Sequence, residues 1–287
     1  FRAQLRSAGK QRLGKLGLAL EDLEKVPGGE IALAAIEPTP GTLASVLLVD
    51  TTGHDTETKA LLEQVEKRLL EQKASKSAAA APGLSVFQLP PEQTGTTTRQ
   101  RQVAIFSTPG TLVVGDSPAV VGQLVASLKQ GRKDSLASLP AYQAVVARCG
   151  KEVPSAAAPL RWFVDPLGYA KVYQAANPPR EKRKGPDYVA ILARQGFDVV
   201  KGAGGVVFFD NGTREVQHHT LVYAPPLPGR QPFAADRFDG AARMLQFPNA
   251  ERIEPPQWVP REVASWVTAQ WDLANAFASA EPLVDDI

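Results

Sequence analysis

The segment Gln102-Val103-Ala104-Ile105-Phe106-Ser107-Thr108-Pro109-Gly110-Thr111-Leu112-Val113-Val114-Gly115-Asp116-Ser117-Pro118 carries the pattern on which the fold turns. Two runs rich in β-branched and aromatic residues, 102–107 and 111–115, flank Thr108-Pro109-Gly110, a turn composition that folds the second run back on the first. Asp116-Ser117-Pro118 follows, and then Val120, Val121, Leu124 and Leu128 recur at helical spacing. Pro118 suits a first helical turn, where a missing N–H costs nothing, and Gly131 suits the C-terminal end. The segment reads strand, strand, helix.

The same order appears on either side of it. Glu30–Ile36 and Leu43–Val49, separated by Pro38, Pro40 and Gly41, precede a helix marked by Leu61, Leu62, Val65, Leu69 and Leu70. Gly205–Phe209 and Arg214–Ala224, joined through Asp210-Asn211-Gly212, precede an expected helix at Ala234–Phe247. Strands joined by short turns pair antiparallel. The pattern therefore predicts an α+β fold, a mainly antiparallel sheet with packed helices, built from degenerate strand–strand–helix units.

Further elements are expected as follows: a basic amphipathic helix over residues 1–25, a strand at Leu84–Leu89 and a helix at Leu139–Cys149 capped by Ser138. Then come a strand at Leu160–Val164, a helix from Pro166 to about Ala176, and another from Pro186 to Gln195. Strands are expected at Phe197–Lys201 and Val263–Trp271, with Pro255–Pro260 extended and a last helix after Asp272. Lys73–Pro82 and the polar run 180–184 read as loops. Four aspartates, Asp50, Asp116, Asp165 and Asp272, follow strands and precede helices, where a carboxylate caps free N–H groups and suits the positive end of the helix dipole.

At 287 residues the chain has room for one large or two ordinary domains. We expect an N-terminal half, 1–150, and a C-terminal half, 151–287, either sharing one sheet or folding separately. The chain reads as a fragment of a longer protein, because residue 1 is Phe within an expected helix and the last helix runs to the end without a terminator. With 32 basic against 30 acidic residues, its net charge of +2 is too balanced for a nucleic-acid binder. No apolar run approaches the ~18 residues of a membrane span. A single cysteine excludes an intramolecular disulfide.

Chemical signatures are sparse. There is no nucleophile elbow, phosphate-binding loop, zinc-protease helix or paired C-x-x-C, and no cofactor is expected. Gly202-Ala203-Gly204-Gly205 has no helix opening after it, so a strand hairpin or bulge explains it better than a phosphate loop. The one local mixture of histidine and carboxylates is the loop holding Asp50, His54 and Asp55, the nucleus of any acid–base or metal site. A solvated helix start is the simpler explanation. His218 and His219 are adjacent in a strand and point to opposite faces, and Cys149 belongs to an apolar helical face, so no metal is expected. Trp162, Trp266 and Trp271 read as core, and Trp258 as a staple holding a proline-rich segment to the domain.

Several short stretches taken together carry a resemblance: Phe1-Arg2-Ala3-Gln4-Leu5, Gly14-Lys15-Leu16-Gly17-Leu18, Leu160-Arg161-Trp162-Phe163-Val164-Asp165-Pro166, Gly196-Phe197-Asp198, Tyr223-Ala224-Pro225-Pro226, Ala242-Arg243-Met244-Leu245 and Trp258-Val259-Pro260. On these the chain resembles a large planctomycete family with a domain of unknown function. The resemblance implies a longer, exported parent, located in the periplasm or secreted, and no catalytic residues. The expected function is a non-enzymatic structural, scaffold or binding domain of the cell envelope. Its partner would be another envelope protein or the remainder of its own chain. The alternatives are an enzyme with a dispersed site near His54, and a binder of an apolar ligand in a groove between helix and sheet.

Overall fold

The computed structural model describes residues 13–14, 16–77, 82–94, 97–151, 159–177, 186–209, 216–247, 255–263 and 265–287. The chain forms two compact units, one of residues 1–133 with 172–183 and one of residues 134–171 with 184–287. Their strands form two separate sheets, and every pairing is antiparallel. The α+β architecture follows.

The first unit holds β1 (Ile31–Ile36), β2 (Ala44–Asp50), α1 (Asp55–Glu71), β3 (Ser75–Ser77), β4 (Leu84–Thr94), β5 (Thr97–Thr108), β6 (Thr111–Gly115) and α2 (Pro118–Gln130). Its six-stranded sheet has the order β1-β2-β6-β5-β4-β3. Leu47, Val49, Val103, Ile105, Leu112 and Val114 turn to one face, where they pack with Leu61, Val65 and Leu69 of α1 and with Leu16, Leu18 and Leu23. Ala44, Val46, Ala104, Phe106 and Val113 turn to the other face and meet Val120, Val121 and Val125 of α2. The two helices thus lie on opposite faces of one sheet. Gly115 makes the second contact close: a Cβ there would stand 2.7 Å from Cγ2 of Val121.

The second unit contains α3 (Pro140–Cys149), β7 (Leu160–Val164), α5 (Tyr188–Arg194), β8 (Gly202–Phe209), β9 (Val216–Tyr223) and α6 (Leu273–Asp285); α4 (Pro166–Ala176) begins in it and ends in the first. β7, β8 and β9 form a three-stranded sheet. Gly202-Ala203-Gly204-Gly205 is neither hairpin nor bulge but the start of β8, paired on both sides. A Cβ on Gly204 would lie 3.1 Å from Val145 Cγ1 and 2.6 Å from the Trp162 carbonyl oxygen. The small residues therefore let α3 approach the sheet, burying Ala141, Val145 and Cys149, while Val146 turns outward.

Several expectations fail for identifiable reasons. Within Lys73–Pro82, Ser75–Ser77 is the edge strand β3, recruited by β4. Leu139, not Ser138, precedes α3. Phe197–Val199 is a 3-10 turn entered through Gly196 at φ 84°, and its apolar residues join a small cluster with Phe238 and Ala242 instead of a sheet. The helix expected at Ala234–Phe247 is reduced to a 3-10 turn at Gly240–Met244. Arginines take the carbonyls a helix would use there: Arg237 donates to Pro232 and Leu245, and Arg230 to Asp236 and Phe238. Pro255–Pro260 makes a turn, with Val259 N–H donating to Pro256 (2.9 Å), and the described residues of 263–271 form no strand. Of the helix expected over 1–25, the described residues show Leu13 and Gly14 as helical and a separate 3-10 turn at Leu20–Leu23; residues 1–12, the 180–184 run and the Asn211-Gly212 turn lie outside the described residues.

The four aspartates divide. Oδ1 of Asp165 accepts from Gly168 N–H (3.0 Å) and Oδ1 of Asp272 from Asn275 N–H (3.0 Å), both as helix caps. Asp116 instead accepts from Ser45 N–H (2.8 Å), tying β6 to β2, while Ser117 caps α2. Asp50 bonds Thr52, and α1 begins only at Asp55. Asp165→Ala and Asp272→Ala are each expected to cost about 1 kcal/mol. Asp116→Ala should leave the helicity of α2 unchanged. Chemical denaturation with far-UV circular dichroism checks this, and an unaltered midpoint for both cap variants would refute the assignment.

Candidate functional site

Asp50, His54 and Asp55 share the loop between β2 and α1, yet each is engaged separately. Oδ1 of Asp50 accepts from the Thr52 hydroxyl (2.7 Å) and the Thr52 N–H (2.9 Å). These bonds, the hydroxyl's first, hold the carboxyl below the ordinary carboxylate range. His54 occupies the N-cap position of α1, and its Nδ1 lies 3.0 Å from the Lys25 carbonyl oxygen. A carbonyl only accepts, so Nδ1 is the donor. Asp55 is the first residue of α1 and is exposed. The loop thus ties the segment before β1 to the start of α1. Among the described residues no three His, Cys, Asp or Glu side chains gather where a metal ion could sit.

Other reactive side chains stay apart. Cys149 is buried on α3. His218 is exposed on β9, and His219, on the opposite face, is half-buried and stacks on Phe208 at 5.4 Å. No motif flagged Thr51, between Asp50 and Thr52. It is fully buried, and its hydroxyl has no hydrogen-bond partner among the described residues.

What the sequence reading missed is apolar surface. Leu273, Phe277, Ala280 and Val284 of α6 are spaced four, three and four residues apart, which places them on one stripe. Leu273, Phe277 and Val284 are 65%, 88% and 67% exposed. The neighbouring stripe faces inward: Ala276 is buried, Asn275 donates to the Arg243 carbonyl (2.7 Å), and Gln195 donates to Asp286 (2.6 Å). The heptad spacing was legible and is the signal that would have found this stripe. Trp258 is 78% exposed, so it is not the expected staple, and Phe233 is also exposed. Trp162 and Trp271 are likewise outside the core; the Trp271 indole N–H donates to Met244 (2.6 Å) and its ring stacks on Phe247.

The first unit carries a half-open cleft of about 630 Å³ between α2 and the β5–β6 hairpin. Pro82, Phe106, Pro109, Val125 and Leu128 supply apolar lining, and Ser107, Thr108, Thr111 and Lys129 the polar part. No helix among the described residues is long and apolar enough to cross a membrane. No protein-family model, curated protein or solved structure matches the chain.

Thr51→Val removes a buried hydroxyl without a partner, at nearly constant shape. We expect the melting temperature to stay level or rise, because no hydrogen bond is lost and a desolvated polar group is. A melt lowered by several degrees would show that the hydroxyl is bonded in solution.

Proposed function

We propose that this chain is a non-enzymatic binding domain of the cell envelope whose partner is presented as a helix. The observation that carries the reading is the α6 stripe. A strict heptad seam is narrower than the stripe a helix buries against its own domain, and it matches the surface of another helix. On α6 this seam is separate from the inward-facing stripe and turns to solvent. The dispersal of Asp50, His54, Cys149 and the other reactive groups supports binding over catalysis. The resemblance to exported planctomycete proteins supports the envelope as the location, with another envelope protein or the remainder of the same chain as the helix donor.

The test places a photo-crosslinking residue at position 277 in cells and identifies what it captures. A single partner, mapped to a helical segment and lost when Leu273→Asp and Val284→Asp are added, is expected. Diffuse labelling would count against the reading, as would a turnover by the purified chain that His54→Ala abolishes.

The cleft beside α2 favours a second reading, a small apolar ligand. Its volume lies within the roughly 300–1,000 Å³ of ligand pockets. Leu128, half-exposed at its rim, can change without disturbing the core. If this reading holds, a fluorescent fatty acid should bind the wild type at least tenfold more tightly than Leu128→Asp. Equal titration curves would discard the cleft as a site.

A further inference from the structure

The two edges of the six-stranded sheet are unlike. β3 at one edge is three residues long, and its Lys76 is paired with Glu66 at 2.8 Å. Shortness and a charge are the devices by which proteins keep sheet edges from pairing. β1 at the other edge has neither: Ile31-Ala32-Leu33-Ala34-Ala35-Ile36 is six residues without charge, proline or bulge. Residues 31–35 are exposed, with Ile31 at 46% and Leu33 at 48%.

The direction of the outer backbone groups follows from the ladder. Asp50 N–H donates to the Glu30 carbonyl (2.9 Å), and residues 30 and 50 are opposite in the β1–β2 register. Antiparallel strands alternate, so Ala32, Ala34 and Ile36 turn their N–H and C=O groups toward β2, while Ile31, Leu33 and Ala35 turn theirs to the open edge. Those three residues also share a side-chain face, the one that carries α1, because Ile31 and Leu33 stand opposite Val49 and Leu47.

We propose that β1 pairs antiparallel with β1 of a second copy of this chain, across a two-fold axis at Leu33, so that the two sheets become one. This concerns a different surface from the α6 seam and does not depend on it. A second copy fits because the outward groups are symmetric about Leu33. Leu33 meets its own equivalent, Ile31 faces Ala35 on either side, large against small, and every outward N–H at 31, 33 and 35 finds a carbonyl. No charge on β1 opposes its copy, and the net charge of +2 leaves little overall repulsion. One strand pair is small beside the roughly 800 Å² per partner of a standard interface, so the dimer is weak, with a Kd on the order of 100 μM.

Sedimentation velocity on the full chain, from about 5 to about 500 μM, tests the pairing. The wild type should pass from monomer to dimer. Leu33→Lys and Leu33→Glu, at an exposed site, should each remain monomeric with unchanged melting temperature, because like charges meet at the axis. An equimolar mixture of the two should dimerise again. Phe277→Asp should dimerise like the wild type. The proposal is overturned by a wild type that stays monomeric throughout, by dimers indifferent to both charges, by a mixture that stays monomeric, or by a dimer that Phe277→Asp abolishes.

Discussion

Burial on both faces of the central strands is the constraint from which the first unit is built. Val46 and Leu47 are neighbours in β2, as are Ala104 and Ile105 in β5 and Val113 and Val114 in β6, and in each pair the two point to opposite sides while both stay buried. Each Val or Leu so covered contributes about 1.5–3 kcal/mol. A sheet with such strands is unstable with a helix on one face alone. α1 and α2 are therefore a matched requirement, and each follows directly the strand it covers. The cover on the α1 side is completed by the segment around Leu16–Val26. Arg68 of α1 holds that segment through two parallel bonds to Asp22, at 2.5 and 2.9 Å.

This constraint explains which parts of the sequence could be read. Runs such as Leu47-Leu48-Val49 and Leu112-Val113-Val114 mark strands because they are short, apolar, β-branched in part and bounded by Gly- or Pro-containing turns. The helices between them show ordinary amphipathic spacing. In the second unit the same vocabulary misleads. Phe197–Lys201 and Val263–Trp271 have strand composition, but a strand needs a neighbour to receive its backbone bonds, and composition does not name one. Phe197 and Val200 pack around Phe238 and Ala242 instead, and Trp271 is fixed by one indole bond to Met244. The missing helix near 234–247 has the same origin, since Arg230 and Arg237 reach their carbonyls from within the loop.

The aspartates show the limit for function as well as for fold. Four residues in one sequence context serve three purposes: capping a helix at Asp165 and Asp272, tying two strands at Asp116, and closing a loop through Thr52 at Asp50. What decides among them is which donor the fold brings within about 3 Å, and sequence does not carry that distance. His54 follows the same rule. Beside two carboxylates it reads as a candidate acid–base group, yet its ring is committed to the Lys25 carbonyl, so it joins two segments.

Among the described residues many polar groups thus hold the fold, while several large apolar side chains face outward. They include Phe277 and its neighbours on a helix and Ile31 and Leu33 on a sheet edge. Water penalises each of these, and a stable monomer gains nothing by keeping them in registers that match a second helix and a second strand. The spacing on α6 and the uncharged edge of β1 are the features on which the two proposed associations rest. Either proposed association would take these side chains out of water, and that shared driving force is the same one that holds α1 and α2 on the sheet.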